Sequence, residues 1–177
     1  MGITDESIEA FKRARRLNSD DPFPYFKLAE YYLRMNNREK ALYCIKESIG
    51  KSVYLLGQLQ LEAASRLKDG ENSITGKDIL SIKRIVETME EPRAILLESL
   101  KLLRKICKTN GEYKDEINSL ISRYPHTVQL QVALGKYYEE QRDWNSALSI
   151  WERIIREHPR NLDAIKGLAL VYEMKGD

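Results

Sequence analysis

The chain has 177 residues, 42% of them hydrophobic and 32% charged, with a formal net charge of +2 and a pI near 8.4. That balance suits a soluble fold with a sizeable core or a short array of repeats, and it falls short of the pI above about 9 that marks a nucleic-acid domain. No apolar run is long enough to cross a bilayer, and the two cysteines, Cys44 and Cys107, lie inside apolar helical patterns that suit reduced thiols rather than a disulfide framework.

The opening stretch MGITDESIEAF lacks the basic-then-apolar layout of a secretory signal, and Glu6 stands where a myristoylation pattern needs Ser or Thr. A cytoplasmic setting without membrane insertion is the expectation. Along the chain, strand alternation is absent and apolar residues recur at helical spacing, first as Ile8, Phe11, Ala14 and Leu17, then as Leu28, Tyr31, Tyr32 and Met35. The pattern predicts about ten helices, at roughly 4–18, 22–35, 38–50, 53–68, 77–90, 92–109, 112–123, 126–141, 144–158 and 161–175. Asp143 before WNSAL and Asn161 before LDAI are N-cap residues, and TNGEY around Asn110 and Gly111 reads as a helix stop followed by a turn. Connections of about two to four residues make neighbouring helices antiparallel hairpins. One connection, Asp69 to Gly76, is longer, polar and glycine-bearing, and reads as a mobile loop.

One phrase occurs twice. LAEYYLRMNNREKALYCIKES, from Leu28, and LGKYYEEQRDWNSALSIWERI, from Leu134, place Leu28 and Leu134, Tyr32 and Tyr138, and Ala41 and Ala147 each 106 residues apart. A half-copy follows, in which Ile165, Leu168, Ala169 and Tyr172 repeat the spacing of Gln131, Leu134, Gly135 and Tyr138 after 34 residues. A period near 34 with this residue order resembles the tetratricopeptide repeat, whose pattern runs Trp-x-x-Leu-Gly-x-x-Tyr, then Ala-x-x-x-Phe, then Ala and Pro. Small Ala29, Gly135 and Ala169 then stand where two helices come close, with Ala41 and Ala147 on the second helix. Tyr32, Tyr138, Tyr172 and Trp151 are large enough to fill the space beside a neighbouring repeat. Two family marks are missing: Gln131 occupies the Trp position and Val53 the Pro position.

The resemblance implies an all-α fold, a right-handed superhelical solenoid of antiparallel helix pairs, here one array over 1–177. Its divisions are a half repeat 1–21, a repeat 22–53, a degenerate repeat 54–91 with a long turn, a degenerate repeat 92–125, a repeat 128–160 and a half repeat 161–177. Arg104 replaces the small residue in the fourth of these. The last helix turns Ile165, Leu168, Ala169 and Tyr172 toward a partner that the chain does not encode, which implies either a longer array or self-association through the end helices.

Nothing in the residues supports catalysis, a metal or a cofactor. His126 and His158 flank prolines at helix boundaries without companion ligands, Gly57 and Gly70 stand outside any phosphate loop, and the pairs Glu90-Glu91 and Glu139-Glu140 belong to solvated helix faces. The resemblance implies a non-enzymatic scaffold that holds a peptide or helix of a partner protein in a concave trough. The alternatives are an RNA-associated helical repeat, motivated by FKRARR and KLLRKICK, or a structural subunit of a larger assembly. Against RNA, the arginines alternate with nearby acids and no aromatic stacking pattern accompanies them.

In the family frame the trough is lined by the first helix of each pair. That reading assigns the partner surface to Phe23, Phe26 and Glu30, then Lys101 and Lys105, then Val132 and Lys136, then Lys166, with Glu98, Gln129, Asp163 and Leu170 beside them. The surface is aromatic at its beginning and basic beyond, so it suits a segment with an apolar anchor followed by acidic residues. The Lys/Asn set with which some family members grip the terminal carboxylate of chaperone tails is not assembled at these positions.

Overall fold

The computed structural model describes residues 4–68 and 76–176, so the loop expected from Asp69 to Gly76 lies almost wholly outside the described residues. Among the described residues the chain is all helical, with nine helices and no strand: α1 (Asp5–Leu17), α2 (Pro22–Arg34), α3 (Arg38–Lys68), α4 (Gly76–Thr88), α5 (Glu90–Ile106), α6 (Asn110–Arg123), α7 (Val128–Glu140), α8 (Trp144–Glu157) and α9 (Leu162–Lys175). They group into two compact units, Met1–Ile106 and Cys107–Asp177.

The repeat seen in the sequence extends to individual hydrogen bonds. Between α2 and α3, Met35 N–H donates to Tyr31 O at 3.0 Å and Asn37 N–H to Tyr32 O at 2.8 Å, while Ala41 N–H reaches Asn37 O at 3.0 Å. Between α7 and α8 the same positions repeat: Gln141 to Tyr137 at 3.1 Å, Asp143 to Tyr138 at 3.0 Å and Ala147 to Asp143 at 3.0 Å. Asn36 (φ 53°) and Arg142 (φ 55°) are the two described non-glycine residues with left-handed backbones, and they too stand 106 residues apart. The caps match as well, since Asn37 Oδ1 accepts from Lys40 N–H at 3.2 Å and Asp143 Oδ1 from Ser146 N–H at 3.1 Å. Asn161 caps α9 as expected, accepting from Ala164 N–H at 2.9 Å.

Two expected boundaries are corrected. The helices expected at 38–50 and 53–68 are one helix, α3, of 31 residues, which is why nine helices are described rather than ten. The reason is Val53. At the corresponding place in the second copy stands Pro159, and α8 ends at Glu157 because a residue preceding proline is pushed out of the helical region. Val53 keeps its N–H and imposes no such restriction, so α3 runs on through the expected repeat boundary. The second correction concerns Asn110 and Gly111, which open α6 instead of stopping α5. Thr109 caps that helix, its Oγ1 accepting from Glu112 N–H at 3.1 Å, and α5 ends earlier, at Ile106.

In the first unit α2, α3 and α5 pack on one another, and Leu28 and Ala29 of α2, Ala41, Ile45 and Ile49 of α3, and Leu96 and Leu103 of α5 are all fully buried. A small polar cluster sits among them: Ser48 Oγ donates to Pro22 O at 3.1 Å and lies 3.0 Å from Ser99 Oγ. Arg38 Nε donates to Ile106 O at 2.9 Å, satisfying a carbonyl that the end of α5 leaves free. The second unit is built around Trp151 of α8, which is fully buried with Ala147, Ile154, Ala164 and Val171.

Candidate protein-binding surface

Phe23, Phe26 and Glu30 all lie on α2, where Asp21 and Pro22 start the helix: the Asp21 carboxylate accepts from Phe23 N–H at 2.9 Å. Phe23 is 38% exposed, while Phe26 and Glu30 are half-buried. The rings are organised by their neighbours. Phe11 of α1 meets Phe23 edge-on at 6.0 Å between centroids. Lys27 Nζ lies 5.6 Å from the Phe23 centroid and 5.1 Å from that of Phe26, and donates to Glu30 Oε2 at 2.8 Å. On α5, Lys101 and Lys105 are exposed, and Lys101 pairs with Glu98 at 2.7 Å. The ion pairs of these two sets therefore stay within α2 and within α5.

In the second unit the structure joins two of the candidate helices directly. Lys136 Nζ of α7 donates to Asp163 Oδ1 of α9 at 2.7 Å. Lys166 is exposed one turn further along α9. Val132 is partly withdrawn from the surface, because it packs against the Trp151 cluster. The close approach that the family frame assigns to small residues is visible at Gly135, where an added Cβ would stand 2.6 Å from two Trp151 ring atoms. On α9 the expectation is corrected. Ala169 is exposed, and the small residue against Trp151 is Gly167, whose Cβ would come within 2.4 Å of the ring. Helix α9 buries Ala164, Gly167 and Val171 on α8, so the face carrying Ile165, Ala169 and Tyr172 is exposed and Tyr172 fills no core space. A glycine inside a helix costs about 1 kcal/mol relative to alanine, and that cost was the one sign in the sequence that Gly167 has a packing duty. Glu139 accepts from Trp151 Nε1–H at 2.9 Å, and burial pushes its carboxyl above the ordinary value.

His126 and His158 are exposed, and among the described residues no three or more His, Cys, Asp or Glu side chains are grouped to hold a metal ion. No described helix is long and apolar enough to cross a membrane. In the basic run of α1, Lys12 pairs with Glu9 at 2.7 Å and Arg15 lies 5.6 Å from the Tyr25 ring centroid, which ties up two of the charges that an RNA backbone would need. Cys44 is buried and Cys107 half-buried, neither in a disulfide, and burial pushes the Cys44 thiol up to about 11.

The family model for the tetratricopeptide repeat matches residues 130–161, which are most of α7, all of α8 and the turn into α9. A TPR repeat-containing protein of Methanocaldococcus jannaschii is 24% identical over 176 residues, a span of 99% of this chain and 26% of that protein. The stretch 130–161 is thus similar to a tetratricopeptide repeat. The chain spans about a quarter of the length of the curated relative it matches. Among solved structures, the crystal structure of the P58(IPK) TPR domain is similar over 96% of this chain and 51% of that one, with 16% identity and a TM-score of 0.36. Tetratricopeptide repeats in general mediate contacts between proteins and are typically non-catalytic.

Proposed function

We propose that this chain is a non-enzymatic interaction scaffold, with 22–53 and 128–160 as its regular repeats, that binds an extended or helical segment of a partner protein along its first helices. The observation that carries the reading is the Lys136–Asp163 contact. It brings the ninth position of one first helix against the second position of the next, so consecutive first helices of this unit present one continuous face. On that face, and on the α2 and α5 faces of the other unit, the residues offered to a partner are Phe23, Phe26, Glu30, Lys101, Lys105, Val132, Lys136 and Lys166. Rings supply the apolar anchor, and exposed lysines act mainly on encounter and selectivity toward acidic residues of the segment.

The test reverses three lysines at once. Lys101→Glu, Lys136→Glu and Lys166→Glu together are expected to lower recovery of the native partner and to flatten the salt dependence of binding. Equal recovery by the wild type and the triple variant at low salt would move the site off these helices. A salt series with single-stranded RNA separates the RNA reading, because phosphate contacts make binding steeply salt-dependent. Self-association is a second reading, favoured by the exposed Ile165, Ala169 and Tyr172 on α9. Light scattering should then show mass rising with concentration, and Tyr172→Glu should abolish the rise.

A further inference from the structure

The aromatic part of the α2 face is already occupied. Lys27 Nζ stands over both Phe23 and Phe26, at 5.6 and 5.1 Å from their centroids, and is held by Glu30 at 2.8 Å. The side chains of Lys27 and Glu30 are only 29% and 28% exposed, so the pair is half-sheltered, unlike Glu98 and Lys101 on α5 at 54% and 69%. Phe11 packs against Phe23 in a T-shaped arrangement, so that ring has an aromatic neighbour from α1 as well. Two negative ring faces and a carboxylate thus converge on a single position, and a cation from the same helix fills it.

Charge decides what an incoming group has to be. A carboxylate would meet a neutral Lys27–Glu30 pair and the negative faces of two rings, and would gain little. An ammonium or guanidinium taking the place of Lys27 would meet one uncompensated carboxylate and the same two rings. Lys27 can withdraw on its flexible four-carbon stem into water, where an ammonium is strongly hydrated. The exchange trades one cation for another, and the newcomer adds the burial of its own aliphatic stem on the exposed ring of Phe23.

We propose that Phe23, Phe26 and Glu30 form a receptor for a lysine or arginine side chain of the partner segment, and that Lys27 fills this receptor in the unbound chain. The inference rests on the reading of α2 as partner-facing and deepens it: the apolar anchor on the rings is the aliphatic stem of a basic residue, whose charged head meets Glu30.

The experiment uses the full chain and a small probe. Lys27→Ala empties the receptor without touching the buried Leu28 and Ala29, and Lys27→Ser serves in its place should the alanine variant fail to fold. Each protein is titrated with n-butylammonium, with n-butanol as the neutral isostere, while the Phe23 and Phe26 ring resonances are followed by NMR. The expected result is saturable binding of butylammonium to Lys27→Ala, at least about fivefold tighter than butanol and about fivefold tighter than butylammonium on the wild type. Adding Glu30→Gln to the same background should weaken it by roughly three- to tenfold. Equal binding of butanol and butylammonium, or equal binding by the wild type and Lys27→Ala, overturns the proposal. Because the probe is a free cation, this result is independent of the lysine-reversal test, which asks whether α5, α7 and α9 meet the partner.

Discussion

Trp151 shows how few side chains a position between two helices admits. Its ring lies against the backbones of Gly135 and Gly167, and a methyl group at either would stand 2.6 or 2.4 Å from ring atoms. Gly135→Ala and Gly167→Ala are each expected to lose about 1–3 kcal/mol in urea unfolding, the usual cost of overpacking. Gly57→Ala should go the other way. That glycine is also inside a helix, yet an added Cβ meets nothing within 4 Å, so a gain of about 0.5–1 kcal/mol is expected. The same sign at all three positions would show that the packing around Trp151 is wrong. The thiols offer a second check. With its pKa raised to about 11 by burial, Cys44 is ionised in only about one molecule in a thousand at pH 8. A thiol reagent should therefore label half-buried Cys107 first, and fast labelling of both would contradict the burial of Cys44. Glu139 gives a third, from its raised pKa. Above the unfolded value the folded state holds the proton more tightly, so stability should fall as pH rises from about 4.5 through the folded pKa. Glu139→Gln, which keeps an acceptor for the indole N–H, should flatten that slope. Of these residues Gly135 was legible from the repeat pattern. Gly167 was not, because the pattern marks the face of a first helix that meets its own second helix, whereas α9 is held by its other face.

At the scale of the element, the absence of one proline decides the length of α3. Val53 and Pro159 occupy equivalent places in the two copies, and only the second ends its helix. Val53→Pro is expected to break α3 there, with a loss of about 3 kcal/mol or more and lower helical content by circular dichroism. An unchanged unfolding midpoint would mean that the helix is already interrupted. The missing proline was noticed in the sequence as a departure from the family, but its consequence, fusion of two expected helices, follows only from asking what else could stop the chain. Gly50 lowers helix propensity without blocking a hydrogen bond, so it does not. Capping was easier to read: Asp143 and Asn161 start their helices where expected, since a short polar side chain before an apolar period has few other uses. The left-handed Asn36 and Arg142 were not visible, because arginine gives no sign of that conformation and is held in it by the hydrogen bonds on either side.

For the whole molecule, the two tryptophans, Trp144 and Trp151, both belong to Cys107–Asp177, so their fluorescence reports on that unit alone. A polypeptide of residues 107–177 is expected to keep blue-shifted emission and to unfold cooperatively in urea. Red-shifted emission without a transition would show that its core is not self-sufficient. The fold class was readable in the chain because a repeat states its apolar spacing several times over. The proposed partner surface could be framed from sequence only as a choice of helices, since exposed lysines look alike in sequence; the Lys136–Asp163 contact and the Lys27 position over two rings depend on geometry that spacing does not encode. The two glycines around Trp151 bear on what should be counted as one repeat. The stretch the family model recognises, 130–161, stops just short of α9. A chain cut there would retain every residue of the motif and still leave one side of its indole bare, so the motif and the unit that folds are out of phase by a helix. Grafting or deleting repeats in this protein should accordingly be done in the frame α7–α8–α9, with the join placed inside a turn that follows a first helix and never at the motif's own end.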